Sequence, residues 1–214
     1  MGRGHGGTGG STWRSGGYER NPEYNAAQQR EFVSETMMLS PVLNANPYYK
    51  GLKGYQGLKD ERVTAEIKSA IETYSKEIGL PEGMIFSVGT LPKGRMAMAQ
   101  NQYITLSKAY YNGSFEAAEK KFASYQRSGF SVETNRPIAR NIHHEIAHRT
   151  YDYLSRDKKQ KVAALYSRFV SDKKTKGWGS YSRSSATEFY AEGIAKSLGG
   201  KSDYYTQELR KLTW

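Results

Sequence analysis

The chain has 214 residues, enough for one domain with or without a tail, and 37% of them are hydrophobic, a polar composition that still allows a core. It contains no cysteine, which excludes disulfides and thiolate metal sites, so any transition-metal centre must be built from His and carboxylate side chains. A net charge of +11 points to nucleic acid, acidic proteins or anionic surfaces as partners, unless the surplus only keeps a solvated face soluble.

In chain order, the first 20 residues hold eight glycines and almost nothing to bury. This predicts a Gly-rich flexible tail over 1–21, followed by a single domain over 22–214. The same terminus lacks the 7–15-residue apolar segment of a secretory signal, so the expected location is cytoplasmic, virion-associated or reached by non-classical export. No stretch approaches the roughly 18 apolar residues of a membrane span.

The segment NPEYNAAQQREFVSETMM predicts a helix with Pro22 near its start, and KGLKGYQGLKDER, with three glycines, predicts a loop. In DERVTAEIKSAIETYSKEIG, Val63, Ile67, Ala70, Ile71, Tyr74 and Ile78 follow helical spacing until Gly79. Met84, Phe86 and Val88 alternate, as do Met96 with Met98 and Tyr103 with Thr105. Turns at Pro92-Lys93-Gly94 and Gln100-Asn101-Gln102 separate these runs. A small sheet of two or three short strands is expected there, antiparallel at one edge. Four further helices are predicted: SFEAAEKKFASYQR, residues 137–154 opening with Pro137, RDKKQKVAALYSRFVSDKK, and SATEFYAEGIAKSLGG with its closing glycines. SDYYTQELRKL predicts a short terminal one. The fold class is therefore α+β, mostly helical with a small mixed or antiparallel sheet.

The chemistry concentrates in IHHEIAHRTYDYLS, residues 142–155, which carries three of the four histidines. His144 and His148 stand one helical turn apart and project from one face, where both rings can reach one Zn²⁺. Glu145 lies about 100° round the helix, beside the metal, where a carboxylate can take a proton from a zinc-bound water. Ile138, Ile142 and Ile146 occupy the opposite face and can anchor the helix in a core. His143 points elsewhere and suits a backbone carbonyl or a neighbouring carboxylate. Asp152, four residues after His148, either orients that ring or caps the helix.

Catalytic zinc usually takes three protein ligands and a water, so two histidines leave the site short. ATEFYAEGIA offers Glu188 and Glu192, one turn apart in an otherwise apolar helix. Either both face solvent, or they work inside, because buried carboxylates need a cation or good hydrogen bonds. On the second reading Glu188 is the third metal ligand and Glu192 receives the N–H of a ligand histidine.

Together, HHEIAHRTYDY and SYSRSSATEFYAEGIA resemble the catalytic C-terminal domain of the anthrax lethal factor family of zinc metallopeptidases, to which the Pro-Pro endopeptidases are similar in the wider group. The resemblance spans about residues 84–200 and is carried by these two segments. It implies a zincin-like fold and a gluzincin site: His144, His148 and Glu188 as zinc ligands, Glu145 as the base, and Tyr181 as hydrogen-bond donor to the developing oxyanion. It further implies a protein or peptide substrate, whose extended backbone would pair with an edge strand in RMAMAQNQYITL, with Ala97 and Ala99 leaving room; the alternative for that segment is a plain structural hairpin. Two other readings keep the fold and differ in role. One is a virion or mobile-element protein, weakly active or inactive, that binds nucleic acid or structural proteins through its basic surface. The other is a toxin delivered to another cell.

Overall fold

The computed structural model describes residues 49–53, 58–81, 84–100, 103–173 and 175–213. All of these lie in the unit Thr36–Trp214. The Gly-rich tail and the helix expected after Pro22 lie outside the described residues.

Among the described residues, four strands form one mixed sheet: β1 (Tyr49–Lys53), β2 (Met84–Gly89), β3 (Ala97–Gln100) and β4 (Tyr103–Ser107), in the order β1-β2-β4-β3. β2 runs parallel to both β1 and β4, while β3 pairs antiparallel with β4 and forms the outer edge beyond it. The antiparallel edge agrees with the alternation of Met96, Met98, Tyr103 and Thr105. The strand β1 differs from expectation, since all of it after Tyr49 falls in the segment read as a loop. Its sequence YKGLK carries no period-two apolar signal, and the ladder offered by β2 recruits its backbone.

Among the described residues there are seven α-helices: α1 (Glu61–Glu77), a short α2 (Lys108–Tyr111), α3 (Phe115–Arg127), α4 (Pro137–Tyr153), α5 (Arg156–Ser171), α6 (Ala186–Leu198) and α7 (Tyr204–Leu212). A 3₁₀ turn, Ser180–Arg183, lies between α5 and α6. Asp60 caps α1 through the Arg62 N–H, and the same carboxylate accepts the Phe115 N–H at 2.7 Å, tying the start of α3 to the start of α1. Pro137 opens α4 at a position where its missing N–H costs nothing. Just before it, Arg136 makes a two-pronged pair with Glu66 of α1 at 2.9 and 2.8 Å. The mostly helical α+β class is thus met, and among the described residues no helix is long and apolar enough to cross a membrane.

Helix α4 runs through the middle. It packs against α1, α3, β3 and, most extensively, α6, and Ile138, Ile142 and Ile146 are buried in the core shared by these helices and the sheet. Helix α6 is in turn clamped from outside. A Cβ on Gly193 would fall 2.3 Å from the Leu209 side chain and 2.9 Å from Trp178, so only glycine lets α7 and the indole approach this closely.

Asp203 locks this corner. Its carboxylate accepts from Lys196 Nζ at 2.5 Å, Trp178 Nε1 at 2.7 Å and the Thr206 N–H at 3.0 Å, the last closing a capping box at the start of α7. Burial opposes the charged carboxyl, but Lys196 outweighs it and holds the group below the ordinary aspartate range. Asp203→Ala removes a cap and leaves the buried Lys196 ammonium unpaired. The expected cost is about 3 kcal/mol, or roughly 6–12 °C in the midpoint of thermal unfolding. Because the folded carboxyl sits below its unfolded value near 3.9, this contribution is present above about pH 4 and disappears as the pH falls further. In melting curves from pH 3 to 7 the gap between wild type and variant should therefore be constant above about pH 4 and narrow below it.

Candidate metal centre

Arg140, His144 and His148 recur every fourth residue of α4 and form a single stripe facing α6. The two imidazole rings stand edge to face with centroids 4.6 Å apart and their Nε2 atoms at 3.0 Å. On α6, Ser185 caps the helix by accepting the Glu188 N–H at 3.1 Å. A glutamate in that place commonly reaches back to the cap's own N–H. Here its carboxylate is turned inward. Oε2 lies 3.2 Å from His144 Nε2 and 3.3 Å from His148 Nε2, and Oε1 accepts the Tyr181 hydroxyl at 2.9 Å.

These atoms meet the demands of a metal site. Glu192 is fully buried and places Oε1 2.9 Å from His144 Nδ1, while its Oε2 accepts the Val132 N–H at 2.8 Å. With a carboxylate at Nδ1, the ring proton belongs there and Nε2 presents a lone pair to the centre. Glu188 Oε2 is buried and has no hydrogen-bond donor. Electron-pair donors facing one another at 3.0–3.3 Å repel unless a cation lies between them. A tetrahedral ion with bonds of about 2.0–2.1 Å would hold neighbouring donors about 3.3 Å apart, so the spacing fits. His144, His148 and Glu188 can hold a metal ion.

The charges around the triad make the same demand. Glu145, Glu188 and Glu192 bring three carboxylates into a buried region. Arg140, 4% exposed and in contact with Glu192, is the cation built into α4 beside them. Burial lowers its pKa to about 10, against the pull of Glu145 and Glu188, which still leaves it charged at neutral pH. Burial pushes His144 down to about 3, keeping it neutral. It works against His148 as well, but Glu188, Glu145 and Asp152 outweigh it and raise that ring. A proton on His148 and a metal ion therefore compete for the same place.

Glu145 is buried beside the triad. Burial raises its pKa, with Glu188 adding to the effect and His148 and Arg140 opposing it. Its carboxylate accepts the Ala99 N–H from β3. Tyr181 sits on the 3₁₀ turn with its ring 5.9 Å from that of His144. The structure thus brings His144, Glu145, His148, Tyr181, Glu188 and Glu192 together. His143 points away, its Nε2 3.0 Å from the Ala70 carbonyl.

Asp152 is placed differently from its expected orienting role. Its carboxylate pairs with Arg149 and is 54% exposed, because at the solvated end of α4 a guanidinium one turn back is the nearer partner. It acts on His148 through charge alone. Sequence reasoning missed two contributors. Arg140 was signalled by its four-residue spacing from His144. Val132, whose backbone N–H holds Glu192, left no signal, since a main-chain donor can belong to any residue.

Compared with protein-family models, with curated proteins and with solved structures, the chain matches none.

Proposed function

We propose that this protein is a zinc-dependent endopeptidase with a zincin-like fold, which hydrolyses peptide bonds in a protein substrate. The observation that carries the reading is the donor triangle of His144 Nε2, His148 Nε2 and Glu188 Oε2, with edges of 3.0, 3.2 and 3.3 Å. A buried carboxylate outside the triangle, Glu145, accompanies it. Two imidazoles with one carboxylate suit zinc, and a zinc ion held there supplies Lewis-acid polarisation of the scissile carbonyl and acidifies a water.

The chain's own residues do the rest. Glu145 takes the proton of the attacking water and passes it to the leaving amine, and burial, by raising its pKa, makes it a stronger base than an exposed glutamate. Glu192 fixes the His144 ring and its tautomer. Tyr181 offers its hydroxyl to the oxygen that becomes negative as the carbonyl is attacked. Strand β3 is the sheet edge beside α4, and its pairing with β4 leaves alternate backbone groups, including those of Ala97, on the outer side, where the Ala99 N–H is already donated to Glu145. An extended peptide can add to that edge, with the small Ala97 and Ala99 leaving space for it.

The test is direct. Purified protein should contain about one zinc per chain and cleave members of a peptide library, with cleavage sites read by mass spectrometry and lost on chelation. Stoichiometric zinc without any chelator-sensitive cleavage would overturn the peptidase reading, and absence of zinc would overturn the site.

A further inference from the structure

We propose that Tyr181 has a second task, made before any substrate arrives: its hydroxyl holds Glu188 so that a single carboxylate oxygen faces the two histidines. This rests on the metal-site reading above and goes beyond it, because an oxyanion donor has no need to touch a metal ligand.

The two oxygens of Glu188 are used for different purposes. Oε1 accepts the Tyr181 hydroxyl at 2.9 Å. Oε2 stands at 3.2 and 3.3 Å from the imidazole nitrogens, with no hydrogen-bond donor of its own. The Ser185 hydroxyl, by accepting the Glu188 N–H, fixes the backbone of Glu188 but leaves the side-chain torsions open. The tyrosine closes that freedom, and it is itself held firmly. Its N–H donates to the Phe130 carbonyl at 2.9 Å, and its ring stacks on Phe130 with centroids 5.0 Å apart and planes at 22°. Gly179 makes the fit possible, since a Cβ there would fall 2.2 Å from the Phe130 carbonyl oxygen. The hydroxyl is thus placed by the loop at 129–131, which has no direct share in the metal donors.

A phenol carries one O–H. While it is donated to Glu188 it cannot be donated to a developing oxyanion, so substrate must draw it from one acceptor to the other. The carboxylate orientation is therefore tightest in the resting protein.

Tyr181→Phe removes the hydroxyl and keeps the ring and its stacking. The measurement is zinc affinity, by competition with a chromophoric chelator, on wild type and Tyr181→Phe, after the metal-free proteins are compared by circular dichroism and thermal melting. The expected result is a dissociation constant raised about tenfold, the scale seen when a partner of a ligand is lost, with metal-free melting temperatures within a few degrees of each other. A dissociation constant within twofold of wild type would overturn this role and leave the metal site standing. So would a loss of affinity that tracks a large fall in metal-free stability, since that marks a merely structural tyrosine. Failure of wild type itself to bind zinc overturns the metal site and this role together, and the wild-type arm reads that outcome separately.

Discussion

Glu145→Gln should lower kcat/KM for peptide cleavage by about 10³-fold while leaving about one zinc per chain. The carboxylate is not a member of the donor triangle, so its replacement leaves His144, His148 and Glu188 in place. Glutamine has the same shape and its amide oxygen can still accept the Ala99 N–H, so the junction between α4 and β3 is retained. What it cannot do is take a proton from water. The buried carboxyl also carries a penalty, visible in its raised pKa, which a neutral amide does not pay. The metal-free variant should accordingly melt no lower than wild type. Full zinc, an intact fold and lost cleavage together isolate the base. Cleavage within a few-fold of wild type would place that role on another residue.

The residues that could be read from sequence are those whose role follows from spacing along one helix. His144 with His148, and Glu188 with Glu192, each lie one turn apart, and the apolar positions of α1 and α4 recur as an amphipathic helix requires. Pairings between elements were harder. That β2 lies beside β4, with β3 displaced to the outside, depends on the path of the chain and leaves the alternation pattern unchanged. β1 gave no apolar period at all. Asp152 shows the limit of the spacing argument: its place on the helix suited His148, but the side chain went to Arg149, a choice made by solvent and a competing charge. The link from Val132 to Glu192 crosses 60 residues and uses a backbone N–H. Residue identity cannot announce such a contact.

Removing zinc should destabilise the protein as well as inactivate it. Glu145, Glu188 and Glu192 lie around the histidine pair in a buried region where Arg140 is the cation contributed by α4, so the charge count is three against one. A divalent ion brings it to balance. Without the ion, the site must protonate His148 or strain the carboxylates apart, and either response costs folding free energy. An ion bound only by the folded chain stabilises it by about 4 kcal/mol when free metal stands at 1,000 times its dissociation constant. For a chain of this length that corresponds to a rise of roughly 8–16 °C in the melting midpoint. Calorimetry of chelator-stripped protein, with and without added zinc, measures the shift. Glu188→Gln, which removes one donor and one charge, should keep the metal-free midpoint near or above wild type and lose most of the zinc-induced rise. A wild-type midpoint unchanged by zinc would mean that the triangle does not hold the ion. An equal rise in wild type and Glu188→Gln would mean that zinc binds elsewhere.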